Sequence, residues 1–222
     1  MEPQSAFPGI QWHERLDSTN NEAKRHMESL DNLSVIAAVE QTAGRGRGAH
    51  TWVAAPGRNL TFSLVLKFAA GALPAQDAVR ITHFCTVSLC EFLEGEGVKP
   101  RIKWPNDIWV DGRKICGILI ENSFSGACVT GSIIGIGLNL NQKDFDPLLP
   151  NPSSLSLLTG REYVPCKVLD RLYEIFCRLS PRITDKDGSS QNELEFSKRM
   201  FVLEKSRQDR ISTAISDFEA AK

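Results

Sequence analysis

The chain has 222 residues, of which 41% are hydrophobic. This length suffices for one domain with a substantial core, or for one domain and a small appendage. With 26 basic and 27 acidic residues the net charge is -1, which excludes a global electrostatic attraction to nucleic acid or to an anionic membrane. Any anion-binding site must therefore be local.

Cysteine usage and hydropathy indicate a reducing, aqueous environment. The six cysteines form no CxxC pair and no Cys/His cluster at zinc-ligand spacing, so we predict reduced, mostly buried thiols. Residues 1–18 carry no apolar signal-peptide core. Since no run approaches the roughly 20 apolar residues of a membrane span, we expect a soluble, cytoplasmic protein.

A short strand and a helix are the first predicted elements. Residues 10–16 are predicted to form the strand, and Thr19-Asn20-Asn21-Glu22 has the pattern of a capping box that opens a helix ending near Ser29. Residues 18–20 therefore stand at a helix N-terminus, whose unpaired N–H groups also suit a polar ligand. Capping and ligand binding both remain open for them.

The next stretch alternates glycine with arginine, as Gln41-Thr42-Ala43-Gly44-Arg45-Gly46-Arg47-Gly48, and runs toward Trp52. It connects two predicted strands, at 33–39 and 59–68. Glycine lets the backbone approach a ligand closely, and arginine offers phosphate or carboxylate a planar fork of donors. The loop suits an anion, although solvated loops and RNA-binding tails contain similar runs.

An apolar helix and a series of strands follow. Residues 75–94 have helical spacing and are predicted to pack in the core. Strands are predicted at 101–104, 107–111, 114–121 and 127–140, and their short connections make this part of the sheet antiparallel. The predicted fold class is α+β, with a mixed, largely antiparallel sheet flanked by helices.

A tight turn brings charged residues together. The Asp111-Gly112 pair between two β-rich runs is typical of a hairpin and places Lys114 at the start of the returning strand. Lys103, Asp107 and Lys114 then surround one turn and its flanking strands. Convergent charge of both signs beside apolar strands is typical of a ligand site.

The remaining sequence contains a glycine pair and two helical segments. Gly135 and Gly137 share one face of the last strand, which leaves room either for a flat ligand or for a close packing contact. An amphipathic helix is predicted over 164–179, a polar linker over 185–190 and a further helix over 193–205. The last fifteen or so residues are charged and predicted to fray.

Taken together, four segments resemble the biotin protein ligase family across roughly residues 10–180. They are Ser18-Thr19-Asn20, the Gly/Arg loop with Trp52, Lys103-Trp104-Pro105-Asn106-Asp107 with Arg113-Lys114, and Gly135-Ile136-Gly137-Leu138-Asn139. The resemblance implies a catalytic domain over residues 1–184 that joins biotin to ATP, forming biotinyl-5′-AMP. It then implies transfer of biotin to a lysine of a biotin carboxyl carrier domain, with ATP and Mg²⁺ as cofactors.

The same resemblance implies residue roles. Lys114, Arg45 and Arg47 would offset the repulsion between carboxylate and phosphate, roughly 4 kcal/mol per pair of like charges at about 4 Å and an effective dielectric near 20. Asp107 would either orient or deprotonate the incoming lysine, or only brace its turn. The implied biotin-binding residues are Ser18, Thr19, Asn20, Gln41, Gly44, Arg45, Gly46, Arg47, Lys114, Gly117 and Gly135. The implied adenylate-binding residues are Arg45, Arg47, Trp52, Lys103, Asn106, Lys114 and Asn139.

Some features depart from the family pattern. Between Arg47 and Trp52 the only basic residue is His50, so ordering of the loop by the adenylate is expected to be weaker. Residues 185–222 are predicted to form a helical, charged segment in place of the family's small β-rich domain. No helix-turn-helix segment precedes residue 10, so no DNA-binding repressor function is expected, and the protein is expected to be a monomer or a homodimer.

Three alternatives remain beside biotin ligation. A lipoate or octanoate transferase or ligase on the same fold would use a related lysine and a long apolar tunnel. A binding protein would hold biotin or its adenylate without turnover. A nucleic-acid-binding role for the Gly/Arg loop is disfavoured, because the chain has no basic excess.

Overall fold

A computed structural model describes residues 5–48 and 50–201, and in that part of the chain it contains eight strands and five α-helices. The strands are β1 (Ile10–Leu16), β2 (Val35–Gln41), β3 (Leu60–Lys67), β4 (Pro100–Lys103), β5 (Asp107–Val110), β6 (Arg113–Ser125), β7 (Cys128–Leu138) and β8 (Met200–Phe201). The α-helices are α1 (Thr19–Arg25), α2 (Val79–Gly95), α3 (Leu155–Thr159), α4 (Pro165–Leu179) and α5 (Lys186–Arg199). Short 3₁₀ turns lie at Ala75–Asp77 and Ser180–Ile183.

The eight strands form one sheet in the order β1-β2-β3-β7-β6-β5-β4-β8. The two edge pairs, β1 with β2 and β4 with β8, are parallel, and the neighbouring pairs between them are antiparallel. Asp111 and Gly112 turn the chain between β5 and β6 with φ angles of 49° and 74°, the left-handed values that suit a tight hairpin. The predicted α+β class and the predicted hairpin are both confirmed.

One face of the sheet carries the main hydrophobic core. Alternate residues of β3 and β7 point toward α2 and α4, where Phe62, Leu64 and Ile134 are fully buried. Full burial of each such side chain contributes about 1.5–3 kcal/mol. The predicted role of the 75–94 helix in core packing is confirmed, since α2 buries Phe84, among many others, in this cluster.

The opposite face carries small and polar residues. Gly137 of β7 lies between Thr61 of β3 and Gly117 of β6, and the next row on this face joins Ser63, Gly135 and Leu119. Helix α1 covers part of this face through a small cluster that includes Ala23 and Ile36. The rows of glycine lie beside that cluster, and they form the floor of the candidate site.

The predicted capping box is wrong. Helix α1 begins after Ser18, and neither Ser18 nor Glu22 makes a side-chain capping bond within the described residues. The Glu22 carboxylate instead contacts Arg25 and His26 one turn later, and the helix ends at Arg25, short of Ser29. The Thr19 backbone N–H, a donor that a cap would use, bonds the side chain of Gln41 at 2.8 Å. The Gln41 side chain thus accepts the hydrogen bond that the capping box assigned to the Glu22 side chain.

The predicted polar linker is also wrong, because residues 186–190 form the first turns of α5. Asp185 is the N-cap, and its carboxylate accepts a hydrogen bond from the Gly188 N–H at 2.6 Å. A helix thus forms here despite the polar composition, because Asp185 caps its N-terminus. The predicted continuation of this helix to Lys205 is wrong, because the helix ends at Arg199 and Met200–Phe201 form β8. The charged terminus lies outside the described residues. The domain boundary at residue 184 stays a prediction, and α5 packs against α2.

All six cysteines are free thiols, and three of them are buried: Cys85, Cys90 and Cys116. Cys128, Cys166 and Cys177 are only partly buried, so burial is less general than the sequence predicted. Burial raises the pKa of the Cys116 thiol well above its ordinary value, which makes it a poor nucleophile. Within residues 5–48 and 50–201, no helix has both the length and the apolar character needed to cross a membrane.

Removal of the Phe196 side chain should destabilise the protein. This residue of α5 is 5% exposed, and its ring lies 4.5 Å from that of His83 and 5.8 Å from that of Trp104. We predict that Phe196→Ala lowers the free energy of unfolding by about 3 kcal/mol in urea denaturation. The matched control is Leu194→Ala on the same helix, since Leu194 is 56% exposed. Equal losses for the two variants would show that α5 is not anchored through Phe196.

Candidate active site

Four segments meet over the glycine floor. They are the N-terminus of α1, the Gly/Arg loop after β2, the β5–β6 hairpin and the end of β7. The predicted site residues therefore come from parts of the chain up to about 120 residues apart, and the sheet places most of them on one face.

The Gly/Arg loop is folded back on itself. The Gly46 N–H donates to the His50 carbonyl at 2.9 Å, and the Trp52 N–H donates to the Gly44 carbonyl at 3.0 Å. A Cβ on Gly44 would overlap the Trp52 carbonyl, and one on Gly46 would lie 3.0 Å from the His50 carbonyl. These glycines therefore allow two backbone segments to approach each other, and they present Trp52 to the sheet.

Trp52 lies directly on the glycine floor. A Cβ on Gly137 would overlap its indole ring, and a Cβ on Gly117 would lie 2.8 Å from Cζ3. Asn20 occupies the corresponding space over Gly135 in the same way. The protein's own side chains fill the space over the glycine pair, as the packing interpretation predicts. The assignment of Gly135 to biotin stays a prediction. The indole Nε1 is buried without a hydrogen-bond partner among the described residues.

Lys114 holds its ammonium group beside Trp52. Its Nζ lies 2.8 Å from Asp107 Oδ1 and 5.7 Å from the centroid of the Trp52 ring. The backbone of Lys114 is fixed on both sides, since its N–H donates to the Asn151 carbonyl and its carbonyl accepts from the Ser153 N–H. The predicted convergence of Lys114 and Asp107 is observed, and both side chains are largely buried, with exposures of 30% and 14%.

A second group of polar side chains lies at the N-terminus of α1, where Ser18, Thr19 and Asn20 are all buried. Gln41 Oε1 accepts hydrogen bonds from the Thr19 N–H and hydroxyl, at 2.8 and 3.2 Å. The Ser63 hydroxyl contacts Thr19 Oγ1 at 2.8 Å and Asn20 Oδ1 at 2.6 Å. These groups satisfy one another in a small polar network buried against the sheet.

The two arginines of the loop differ in their surroundings. Arg45 forms a two-pronged ion pair with Glu121, with Nη1–Oε2 and Nη2–Oε1 distances of 3.0 and 3.1 Å. Arg47 is exposed and forms no ion pair with the described residues. Burial opposes ionisation of Glu121, but hydrogen bonds from Asn20 and Arg45 outweigh it and lower the pKa of this carboxyl group.

Three predicted adenylate contacts make structural interactions. Asn139 is 6% exposed and donates to the Ser153 carbonyl at 3.0 Å. Asn106 donates to the Ile118 carbonyl, and Lys103 places its Nζ 4.9 Å from the centroid of the Trp109 ring. Their assignment to the adenylate remains a prediction.

Sequence reasoning missed Ser63 and Glu121. Strand alternation is the signal that could have found them, because Gly117, Leu119 and Glu121 share one face of β6 while Ser63 lies opposite Gly135. The register between β3 and β7 was needed to apply that signal, and the sequence alone does not specify it.

Comparison with known proteins identifies the family. A model of the Biotin/lipoate A/B protein ligase family matches residues 12–139. The chain belongs to this family. It is 36% identical over 168 residues to the biotin--[acetyl-CoA-carboxylase] ligase of Paracoccus denitrificans, which covers 74% of this chain and 70% of that protein. It is 34% identical over 172 residues to the bifunctional ligase/repressor BirA of Bacillus subtilis, covering 74% of this chain but 51% of BirA.

Solved structures of biotin protein ligases share the fold of this family member. The complex of the Aquifex aeolicus enzyme with biotin and ATP has a TM-score of 0.73 at 24% identity, over 88% of this chain and 79% of that one. The Leishmania major enzyme with biotinyl-5-AMP has a TM-score of 0.70 at 22% identity, over 88% and 83%. The α+β fold is therefore that of a biotin/lipoate protein ligase, and the chain is an enzyme of this family.

The packing of Trp52 on the glycine floor predicts a dependence between two substitutions. Gly137→Ala should lower the free energy of unfolding by about 1–3 kcal/mol, because its methyl group overlaps the indole ring. In a Trp52→Ala background the same substitution should cost much less. Urea denaturation of the two single variants and the double variant measures this coupling. If Gly137→Ala lowers the free energy of unfolding equally in the Trp52→Ala background, the added methyl group does not act through the indole ring.

Proposed function

We propose that this chain is an ATP-dependent biotin protein ligase. It would activate biotin to biotinyl-5′-AMP and then transfer biotin to a lysine of a biotin carboxyl carrier domain. The observation that supports this most is the position of Lys114, whose ammonium lies over Gly117 beside Trp52, on the same sheet face as the polar group at the N-terminus of α1. Adjacent rows on that face lie roughly 7 Å apart along the strands.

This arrangement suits a ligand with a polar neutral ring and an anionic end. Thr19, Gln41 and Ser63 supply donors and acceptors for the ureido ring of biotin, while Lys114 meets its carboxylate. Such a ring can exchange hydrogen bonds with this network, whereas the dithiolane of lipoate carries no N–H or O–H donor and no oxygen acceptor. The site thus favours biotin on the residues themselves.

The first step brings two anions together. A carboxylate oxygen of biotin attacks the α-phosphorus of ATP, a new P–O bond forms, and pyrophosphate leaves with the electrons of the broken bond. Lys114 and Arg47 place positive charge where the carboxylate and phosphate oxygens approach. We assign the phosphate contact first to Arg47, because Arg45 is already paired with Glu121.

Mg²⁺ is proposed to enter with the nucleotide as part of the substrate. In residues 5–48 and 50–201 no group of three or more His, Cys, Asp or Glu side chains is arranged to hold a metal ion. Phosphate oxygens supply the hard ligands that Mg²⁺ prefers. Trp52 would contact the adenine ring, with Asn139 at the neighbouring end of β7.

The second step joins biotin to the acceptor. The neutral ε-amine of a carrier lysine attacks the carbonyl of the mixed anhydride, an amide bond forms, and AMP leaves while the amine loses a proton. We assign Asp107 to holding Lys114, because its Oδ1 already lies 2.8 Å from the Lys114 ammonium. No repressor function is part of this proposal, and the choice between monomer and homodimer stays open.

Lys114→Ala tests the first step. We predict at least a 10²-fold loss of biotinyl-5′-AMP formation, measured by mass spectrometry with ATP and Mg²⁺, because a fixed cation at the reacting oxygens is removed. Lys99→Ala is the matched control, since Lys99 is exposed, directly precedes β4 and is no part of the proposed site. Circular dichroism should show that both variants fold. A near wild-type yield from folded Lys114→Ala would remove Lys114 from the mechanism.

A further inference from the structure

We propose that Glu121 is a positioning residue that fixes Asn20 and Arg45 before any ligand arrives. The inference rests on the proposed function only for the identity of the ligand, and the contacts themselves are independent of it. Glu121 is no part of the site that the sequence predicted, and no catalytic step above uses it.

One carboxylate connects three separate segments. Glu121 Oε2 accepts from Asn20 Nδ2 at 2.8 Å and from Arg45 Nη1 at 3.0 Å, while Oε1 accepts from Arg45 Nη2 at 3.1 Å. Arg45 Nη1 also lies 3.1 Å from Asn21 Oδ1. Strand β6, helix α1 and the Gly/Arg loop are therefore joined at the side chain of Glu121.

These contacts require a carboxylate. Asn20 is held from both sides, because Ser63 donates to its Oδ1 and Glu121 accepts from its Nδ2. Three donors therefore point at the two oxygens of Glu121, and an ionised carboxylate is the side-chain group that only accepts. Glutamine at this position would turn an NH₂ group toward one of those donors.

Holding the loop in advance has a consequence for binding. Backbone bonds join Gly44 to Trp52 and Gly46 to His50, but the Arg45–Glu121 pair fixes where these residues lie over the sheet. If this pair is lost, the side chains of Arg45 and Asn20 are no longer fixed in the free protein. Ligand binding then carries the additional entropic cost of fixing them. The affinity should fall, whereas the chemistry of the bound complex should change little.

The first test needs no activity. In ligand-free protein, trypsin must extract Arg45 from its ion pair to cleave after it. We expect Glu121→Gln to raise the rate of cleavage after Arg45 by about two- to fivefold, the range for a partly exposed ion pair. Mass spectrometry distinguishes cleavage after Arg45 from cleavage after Arg47.

Glu94→Gln is the matched control for this experiment. Glu94 forms the same kind of two-pronged pair with Arg199, at 2.8 and 2.9 Å, between α2 and α5. Its loss should leave cleavage after Arg45 unchanged. An unchanged rate in Glu121→Gln, or an equal increase in Glu94→Gln, would overturn the proposal.

The second test separates positioning from general destabilisation. We expect Glu121→Gln to raise the KM for biotin about two- to fivefold with kcat within about twofold. Arg45→Lys, which removes the two-pronged geometry from the more exposed partner, should act in the same direction and serves if Glu121→Gln does not fold. The KM of the double variant should not exceed that of the single variant with the higher KM. Additive increases in KM would contradict a shared role.

The two tests keep this proposal separate from the proposed function. If the wild-type protein forms no biotinyl-5′-AMP, the function fails, yet the trypsin comparison still decides whether Glu121 holds Arg45. If biotinyl-5′-AMP forms and neither the cleavage rate nor the KM changes in Glu121→Gln, the function stands and the positioning role fails.

Discussion

The site depends on the absence of side chains at three neighbouring positions of the sheet. Gly117, Gly135 and Gly137 leave the middle of β6 and β7 bare, and a methyl group at Gly135 or Gly137 would overlap Asn20 or Trp52. Because the indole ring can lie against the backbone there, the Gly/Arg loop that carries it can approach the sheet. The positions of Trp52 and Asn20 over the sheet follow from this steric constraint.

A second constraint is the balance of charge. Lys114 and Arg45 each have a carboxylate partner, Asp107 and Glu121 respectively. The ion pairs hold these cations in one geometry, which suits chemistry that depends on charges fixed before the substrates arrive. An anionic ligand must nonetheless share these two cations with their carboxylate partners. Arg47, which forms no ion pair with the described residues, is therefore the cation best suited to an additional anion.

Local sequence chemistry predicted some of this arrangement and missed the rest. The Asp111-Gly112 turn predicted the hairpin and the place of Lys114, because positive φ angles at a two-residue turn leave few alternatives. The capping box at Thr19 failed because Gln41, 22 residues away, supplies the acceptor. The predicted linker at 185–190 is wrong because Asp185 caps a helix that Phe196 anchors. Glu121 was missed because its partners come from other segments, and only the strand register brings them together.

The central claim is that the polar network and Lys114 select biotin for activation, and one competition measures it. Wild-type protein is incubated with ATP, Mg²⁺ and equal concentrations of biotin and lipoate, and the acyl-adenylates are identified by mass spectrometry. The account predicts biotinyl-5′-AMP as the dominant product. Lipoyl-5′-AMP as the dominant product would contradict it and reassign the substrate on the same fold, while no adenylate at all would favour a binding protein.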